Sequence, residues 1–392
     1  MIAPSPQGGA KALFFAYFAL VGALAPYLSL YFADVGMTAA QIGVLMAVPQ
    51  ATRIVGPPLW GGLADRYGQR RALLRASAAL ALVLAATLPL AGANYAALLA
   101  VLAAFHIATS AQTPIAETIA LSASAGDPGA YGAMRLWGSI GFIVAVALVG
   151  PVLDAVGVSS LPALVAMLCA CLLAVTWRIA EPRAIAASVA THGASAWARV
   201  REPVIAAFFA SCALMLFAHA ALYAFYSLHL ERMGYSNTAI GLAWTLGVLA
   251  EIAVFRLQRR LFARFDALRL LSACLLAAVI RFALIGAGGD AIGVVVLAQL
   301  LHGLTFGLHH GVVVALLHRW FAPGQQARAQ AMYLTIGYGV GGSSGGVVAG
   351  WLWSSAGPQA TFFGAALAAL AGWGAVAACR RFDSAGRGSR VA

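Results

Sequence analysis

Long apolar runs recur along this chain, each ended by a short cluster of glycine, proline or polar residues. At about 1.5 Å of rise per residue, a helix needs roughly 20 such residues to cross a hydrocarbon core of about 30 Å. The spacing predicts twelve of them, the first from Lys11 to about Ala33 after a Met1–Ala10 tail. The others run at about 41–63, 70–92, 95–122, 130–155, 160–180, 204–230, 238–262, 267–287, 291–319, 328–353 and 358–380. Breakers fall in the gaps: Gly36 and Thr38, Gly92 to Asn94, Asp127-Pro128-Gly129, Gly288-Gly289-Asp290, Pro323-Gly324 and Gly357-Pro358. With 62% hydrophobic residues, 9% charged and a mean hydropathy of +0.89, no soluble surface can be built. An all-α, multi-pass protein of the lipid bilayer is expected. Its first span is too long for a cleaved signal peptide.

The net charge of +12 raises the question of nucleic acid, and the distribution of cations answers it. With the N-terminus inside, all 24 Lys and Arg residues fall on the cytoplasmic side except Arg232 and three that lie within apolar runs. The basic excess therefore sets orientation, with both termini cytoplasmic in a bacterial-type inner membrane, and no nucleic-acid partner is expected. The five cysteines lie in apolar runs or at their ends without C-x-x-C spacing, which predicts buried free thiols.

The chain repeats itself at one offset. Ile42-Gly43 recurs as Ile240-Gly241, Arg66 as Arg264 and Ala133-Met134 as Ala331-Met332, each 198 residues further on. Two pseudo-symmetric six-helix bundles follow, at 1–180 and 204–392, the second ending in a short cytoplasmic tail, joined by a cytoplasmic linker over 181–203. Such a duplication suits a transporter whose halves rock about a central site.

Between the second and third runs stands Trp60-Gly61-Gly62-Leu63-Ala64-Asp65-Arg66-Tyr67-Gly68-Gln69-Arg70-Arg71, a polar, charged turn of the form G-x-x-x-D-R-x-G-x-R-R. Its glycines permit close approach of helix ends, Asp65 accepts bonds, and Arg66, Arg70 and Arg71 hold the turn at the cytoplasmic face. The motif of Gly61, Asp65, Arg66, Gly68, Arg70 and Arg71 resembles the conformational hinge of the major facilitator superfamily (MFS) of secondary transporters. That resemblance implies the MFS fold of 12 transmembrane helices, alternating access and a monomer.

Five charged residues interrupt the apolar runs: Arg53, Glu117, Arg135, Glu251 and Arg281. Each costs several kcal/mol in a membrane unless it is paired or faces water, roughly 3 kcal/mol on insertion scales. Glu251 and Arg281 flank the 8–9 turn at similar separations and share a depth of roughly 20 Å from the cytoplasmic end; His302 reaches the same level from the opposite side. Glu117 and Arg135 flank the 4–5 turn and can meet across a hairpin. Arg53 occupies the repeat position of Glu251 and is a surplus cation that an anionic substrate would satisfy. His302, His309 and His310 share a helix, but no carboxylate stands at ligand spacing, so no metal is expected. Isolated histidines such as His106, His219 and His229 read as packed, hydrogen-bonded residues.

A finer resemblance follows from these residues. Pro114-Ile115-Ala116-Glu117 and Arg135-Leu136-Trp137-Gly138-Ser139-Ile140-Gly141-Phe142 are similar to sugar-binding segments of the lactose permease type, and Glu251, Arg281 and His302 to its proton-coupling set. The chain departs from that type at Thr305, where a proton-carrying carboxylate would stand, so lactose is not the expected cargo. A closer resemblance is to the phenylpropionate permease family, through Ala51-Thr52-Arg53-Ile54-Val55, Arg135-Leu136-Trp137-Gly138-Ser139, Ala218-His219-Ala220-Ala221, Gly247-Val248-Leu249-Ala250-Glu251 and Leu301-His302-Gly303-Leu304-Thr305-Phe306.

Together these readings predict a membrane transporter rather than an enzyme: a proton symporter importing a small aromatic carboxylate, with no bound cofactor and the proton gradient as its drive. Arg53, Glu117, Arg135, Trp137, Phe142, Tyr223 and Tyr338 are the candidate substrate residues. Tyr27 and Phe225 are further aromatics for the cavity wall. Glu251, Arg281 and His302 are the candidate coupling residues. Sugar or nucleoside symport and proton-driven efflux are the competing functions; an intramembrane enzyme would need a nucleophile or metal set that the sequence lacks.

Overall fold

The computed structural model describes residues 5–125, 127–179, 196–288 and 291–388. Most of the expected linker, residues 181–195, lies outside them. The described backbone is helical throughout its spans: α1 (Pro6–Asp34), α2 (Ala39–Tyr67), α3 (Arg70–Ala91), α4 (Tyr95–Thr109), α5 (Gln112–Ser124), α6 (Pro128–Val156), α7 (Leu161–Trp177), α8 (Pro203–Arg232), α9 (Asn237–Arg264), α10 (Ala267–Gly288), α11 (Ile292–His302), α12 (His309–Trp320), α13 (Gln326–Tyr333) and α14 (Ser343–Gly388). α4 and α5 make one rod. So do α11 and α12, joined by a π-helical turn at Gly303–Leu308, and α13 and the start of α14, joined by another at Leu334–Gly342. α14 breaks at Gly357 (φ 85°), which leaves twelve rods among the described residues. Ten stretches are long and apolar enough to cross a membrane: α2, with Arg53, Asp65 and Arg66, is not among them, and Pro323–Ser384 is counted once across the break.

Local chemistry places the helix ends. Asp127 caps α6 by accepting from the Gly129 N–H at 2.8 Å, and Thr38 and Gln41 form a capping box at α2. The first helix starts at Pro6 rather than Lys11, because Ser5 accepts from the Gly8 N–H at 3.1 Å and proline fits the first helical turn. The motif from Trp60 to Tyr67 is helical, not a turn. The chain reverses only at Gly68, whose φ of 65° lets its N–H bond to the Ala64 carbonyl at 2.9 Å. The close approach expected of Gly61 and Gly62 is absent: a Cβ at either would meet nothing within 4 Å. The last helix continues to Gly388, beyond the expected 380. Cys171 is exposed, while Cys169, Cys212, Cys274 and Cys379 are buried.

Contacts divide the chain into two compact units. The first is Met1–Ala187 with Gly234–Thr245, and the second is Ser188–Met233 with Leu246–Ala392. In the first, α1 lies against α6. Gly141 faces the backbone of Phe15 and Gly22 that of Phe142, so that neither position has room for a side chain. In the second, α8 lies against α14 and the π-helical turn before it in the same manner, with Gly341 of the turn on Ala213 and Gly345 of α14 on Phe217. Lipid is as apolar as leucine, so close packing across small residues holds such helices together.

The first turn of α9 belongs to the first unit because Asp154 holds it there. One carboxylate oxygen accepts from the Asn237 N–H at 2.8 Å and its side-chain amide at 3.0 Å; the other accepts from the Thr238 N–H at 2.9 Å and its hydroxyl at 2.5 Å. A carboxylate across a helix N-terminus satisfies orphan donors and opposes the helix dipole. Asp154→Ala is expected to cost about 1 kcal/mol, the usual worth of such a cap, read as a lower melting temperature in detergent. An unchanged melt would show that the cap carries no stability.

Candidate functional site

In the second unit the candidate coupling residues converge. Glu251 on α9 and His302 at the end of α11 meet at 2.8 Å between Oε1 and Nε2. Arg281 on α10 has no exposed surface. Its Nε donates to the Ala298 carbonyl at 2.7 Å, one Nη to the Thr305 hydroxyl at 3.2 Å, and the other to Gln299 Oε1 at 3.1 Å. His219 Nε2 lies 3.5 Å from that first Nη and 3.3 Å from the Thr305 hydroxyl. Since the other ring nitrogen of His219 stands 2.9 Å from the Met215 carbonyl, it is the protonated one, and Nε2 is the acceptor. Arg281 is thus dressed by neutral acceptors, with Glu251 within electrostatic reach.

The π-helical turn after His302 makes this arrangement. It stacks the imidazole on Phe306 at 5.3 Å and 9°, and it brings Thr305 to Arg281. Wide turns of this kind recur at functional positions. Tyr223 meets the same Phe306 edge-on at 6.5 Å. Gly247 supplies room on the α9 side, where a Cβ would come within 3.1 Å of Gln299 and 3.2 Å of His302. Tyr338, in the second π-helical turn, is buried and packs edge-on against Tyr333 at 5.6 Å.

In the first unit Arg135 lies over two rings of α1, at 4.3 Å from the centroid of Phe18 and 5.5 Å from that of Phe14. Glu117 stands within its electrostatic reach, as does Tyr131. Trp137, on the same helix, is exposed and turns an edge to Phe15 at 6.3 Å, while Phe142 is half-buried with its backbone on Gly22. Arg53 is exposed on α2, within electrostatic reach of His106. Among the hinge residues, Asp65, Arg66 and Arg71 are exposed and Arg70 half-buried at the start of α3.

Two aromatic residues that the sequence offered as cavity lining are instead structural. Tyr27 is wholly buried, its hydroxyl donating to the Val146 carbonyl at 3.1 Å, and Phe225 stacks on Trp353 at 4.7 Å. His219, read from sequence as a packed residue, is indeed buried and hydrogen-bonded, yet it is also part of the Arg281 cluster. Gln299, one helical turn before His302, joins the cluster as a partner of Arg281 that the sequence expectations do not include. The signal for it was available: a polar amide at i−3 from an embedded histidine shares its face. No cluster of three or more metal-ligating side chains occurs among the described residues.

Residues 9–364 match the family described as MFS_1-like. The chain is 31% identical over 365 residues to the probable 3-phenylpropionic acid transporter of Escherichia coli, covering 91% of this chain and 93% of that protein. It is 30% identical over 347 residues to the maltose permease of Geobacillus stearothermophilus, covering 86% of each. Among solved structures, the nucleoside transporter NupG superposes with a TM-score of 0.83 over 95% of this chain and 98% of that one, at 20% identity. Twelve helical rods among the described residues, buried charge and these similarities agree: the chain belongs to the MFS_1-like family of the major facilitator superfamily, and is a multi-pass membrane transporter of small molecules.

Proposed function

We propose that this transporter is a proton symporter that imports a small aromatic carboxylate. The observation that carries the reading is the contact of Glu251 with His302 at 2.8 Å, deep in a membrane unit and beside the buried Arg281. A carboxylate and an imidazole in contact can hold and release one proton. A nearby fixed cation makes the charged form of that carboxylate tolerable when the proton leaves. The cargo follows from embedded arginines in the first unit, since Arg53 or Arg135 can grip a carboxylate by two parallel bonds. The similarity to the probable 3-phenylpropionic acid transporter of Escherichia coli supports the aryl part. The chain works as a monomer with both termini in the cytoplasm, in a bacterial inner membrane. It uses no bound cofactor, the proton gradient being the drive.

Uptake of labelled 3-phenylpropionate into proteoliposomes, beside a galactoside and a nucleoside, tests the reading. Accumulation of the aromatic acid that needs an inward proton gradient is expected, and loss of the arginine that grips the carboxylate, tested with Arg53→Ala and Arg135→Ala, should lower it by at least about tenfold, the worth of one charge-assisted bond. Uptake unchanged in both variants would remove the arginines from the site. A sugar is the second reading, favoured by the 30% identity to a maltose permease; galactoside uptake in the same vesicles would select it.

A further inference from the structure

The first unit holds a group of polar side chains with buried atoms that no structural role uses. α2 and α4 cross the unit in the same direction, as alternate rods of an up-and-down bundle, and meet where Gly56 leaves room for Ser110. The Trp60 indole N–H, from one turn further along α2, donates to the Ile107 carbonyl, three residues before Ser110, at 2.7 Å. One turn before Gly56 on α2 is Arg53, one turn before Ser110 on α4 is His106, and Arg53 lies within electrostatic reach of that imidazole. His106 Nε2 is buried without a hydrogen-bond partner, as is Oε1 of Gln50, three residues before Arg53 on the same face of α2. Buried polar atoms are almost always partnered, so two orphans beside a cation mark a place built for something else.

The second unit is built alike. Glu251 lies 198 residues after Arg53, at its repeat position, and it meets His302 in the Ile292–Trp320 span. His106 lies at nearly the same distance into the Tyr95–Ser124 span, the fourth rod of its own unit as the other is of the second. The two units therefore each place a charged residue within electrostatic reach of a histidine, with the sign of the charge reversed. The negative copy suits a proton, and the positive copy suits an anion.

We propose that Gln50, Arg53 and His106 form the seat of the substrate carboxylate, Arg53 supplying the charge and the Nε2–H of His106 a directed hydrogen bond. A half-turn of the Gln50 amide presents its NH2 to the second carboxylate oxygen. Arg135, whose guanidinium is already stacked on Phe14 and Phe18 with Glu117 nearby, is then a positioning residue at most. The assignment rests on the reading of the cargo as a carboxylate, and it adds two residues and a choice between the arginines.

The test is equilibrium binding to the purified full-length transporter, followed by thermal shift, with 3-phenylpropionate, its uncharged amide and hexanoate as probes. His106→Phe keeps the ring's bulk and removes the donor; His106→Gln keeps a donor. The expected result is a Kd for both carboxylates raised about tenfold to a hundredfold by His106→Phe, largely restored by His106→Gln, with weak amide binding unaffected. Carboxylate binding that His106→Phe leaves unchanged would overturn the seat while leaving the cargo reading intact. Binding of hexanoate alone, lost in His106→Phe, would support the seat and remove the aryl group from the cargo. A wild-type protein that binds neither carboxylate would overturn both.

Discussion

Replacing Glu251 by glutamine should abolish proton-driven accumulation while leaving exchange of substrate across the membrane. Glutamine is nearly the same shape and can keep a hydrogen bond to His302, which stands 2.8 Å from the carboxylate. What it cannot do is change charge. A symporter needs a group whose protonation state differs between the two facing conformations, whereas exchange needs only that the loaded carrier reorients. In vesicles carrying an inward proton gradient, the internal concentration of the variant should rise to the external value and stop. Counterflow of labelled substrate against unlabelled should stay within about threefold of wild type, since no charge-assisted contact to the substrate is removed. Accumulation above the external level by the variant would transfer the proton to another group, with His302 the next to test.

The largest stability loss is expected at Arg281. Truncation to alanine removes the donors that satisfy the Ala298 carbonyl, the Gln299 amide oxygen and the Thr305 hydroxyl, all inside the unit. Each buried acceptor left unsatisfied costs about 1–3 kcal/mol, and the loss of a buried charged partner about 3–5 kcal/mol in comparable cases. A total above about 3 kcal/mol is therefore expected on those scales. Lysine, with its point charge and no planar fork, should recover only part of it. Unfolding in mixed micelles, with ligand absent, reads the effect without involving transport. A loss below about 1 kcal/mol, the worth of one ordinary hydrogen bond, would mean that water replaces the guanidinium at no cost and that the cluster is already wet.

Much of this was legible in the sequence because lipid simplifies the problem. A backbone in hydrocarbon must satisfy itself within a helix, so run length alone gives the spans, and breakers such as Asp127-Pro128-Gly129 give their ends. Depth was equally accessible: residue counts at 1.5 Å of rise brought Glu251 and His302 to one level, and the structure puts them in contact. Rotation about a helix was less so. Phe225 and Tyr27 sit at suitable depths yet face the core, and nothing in a run that is apolar all round marks which side a ring takes. The role of Arg281 depended on partners contributed by three helices, among them Gln299 and His219, whose convergence no local pattern records. Gly61 and Gly62 looked like packing glycines and are open, because a spacing signals a possible contact and not its presence.

The π-helical turn at Leu334–Gly342 bears on how the two halves are to be compared. Phe15 and Ala213, which receive the glycines of the facing helices, are 198 positions apart, whereas the glycines themselves, Gly141 and Gly341, are 200 apart. Just before the turn, Met134 and Met332 still keep the 198 spacing. Two residues have therefore entered the second copy within this stretch, and the wide turn absorbs them without moving the glycines off their partners.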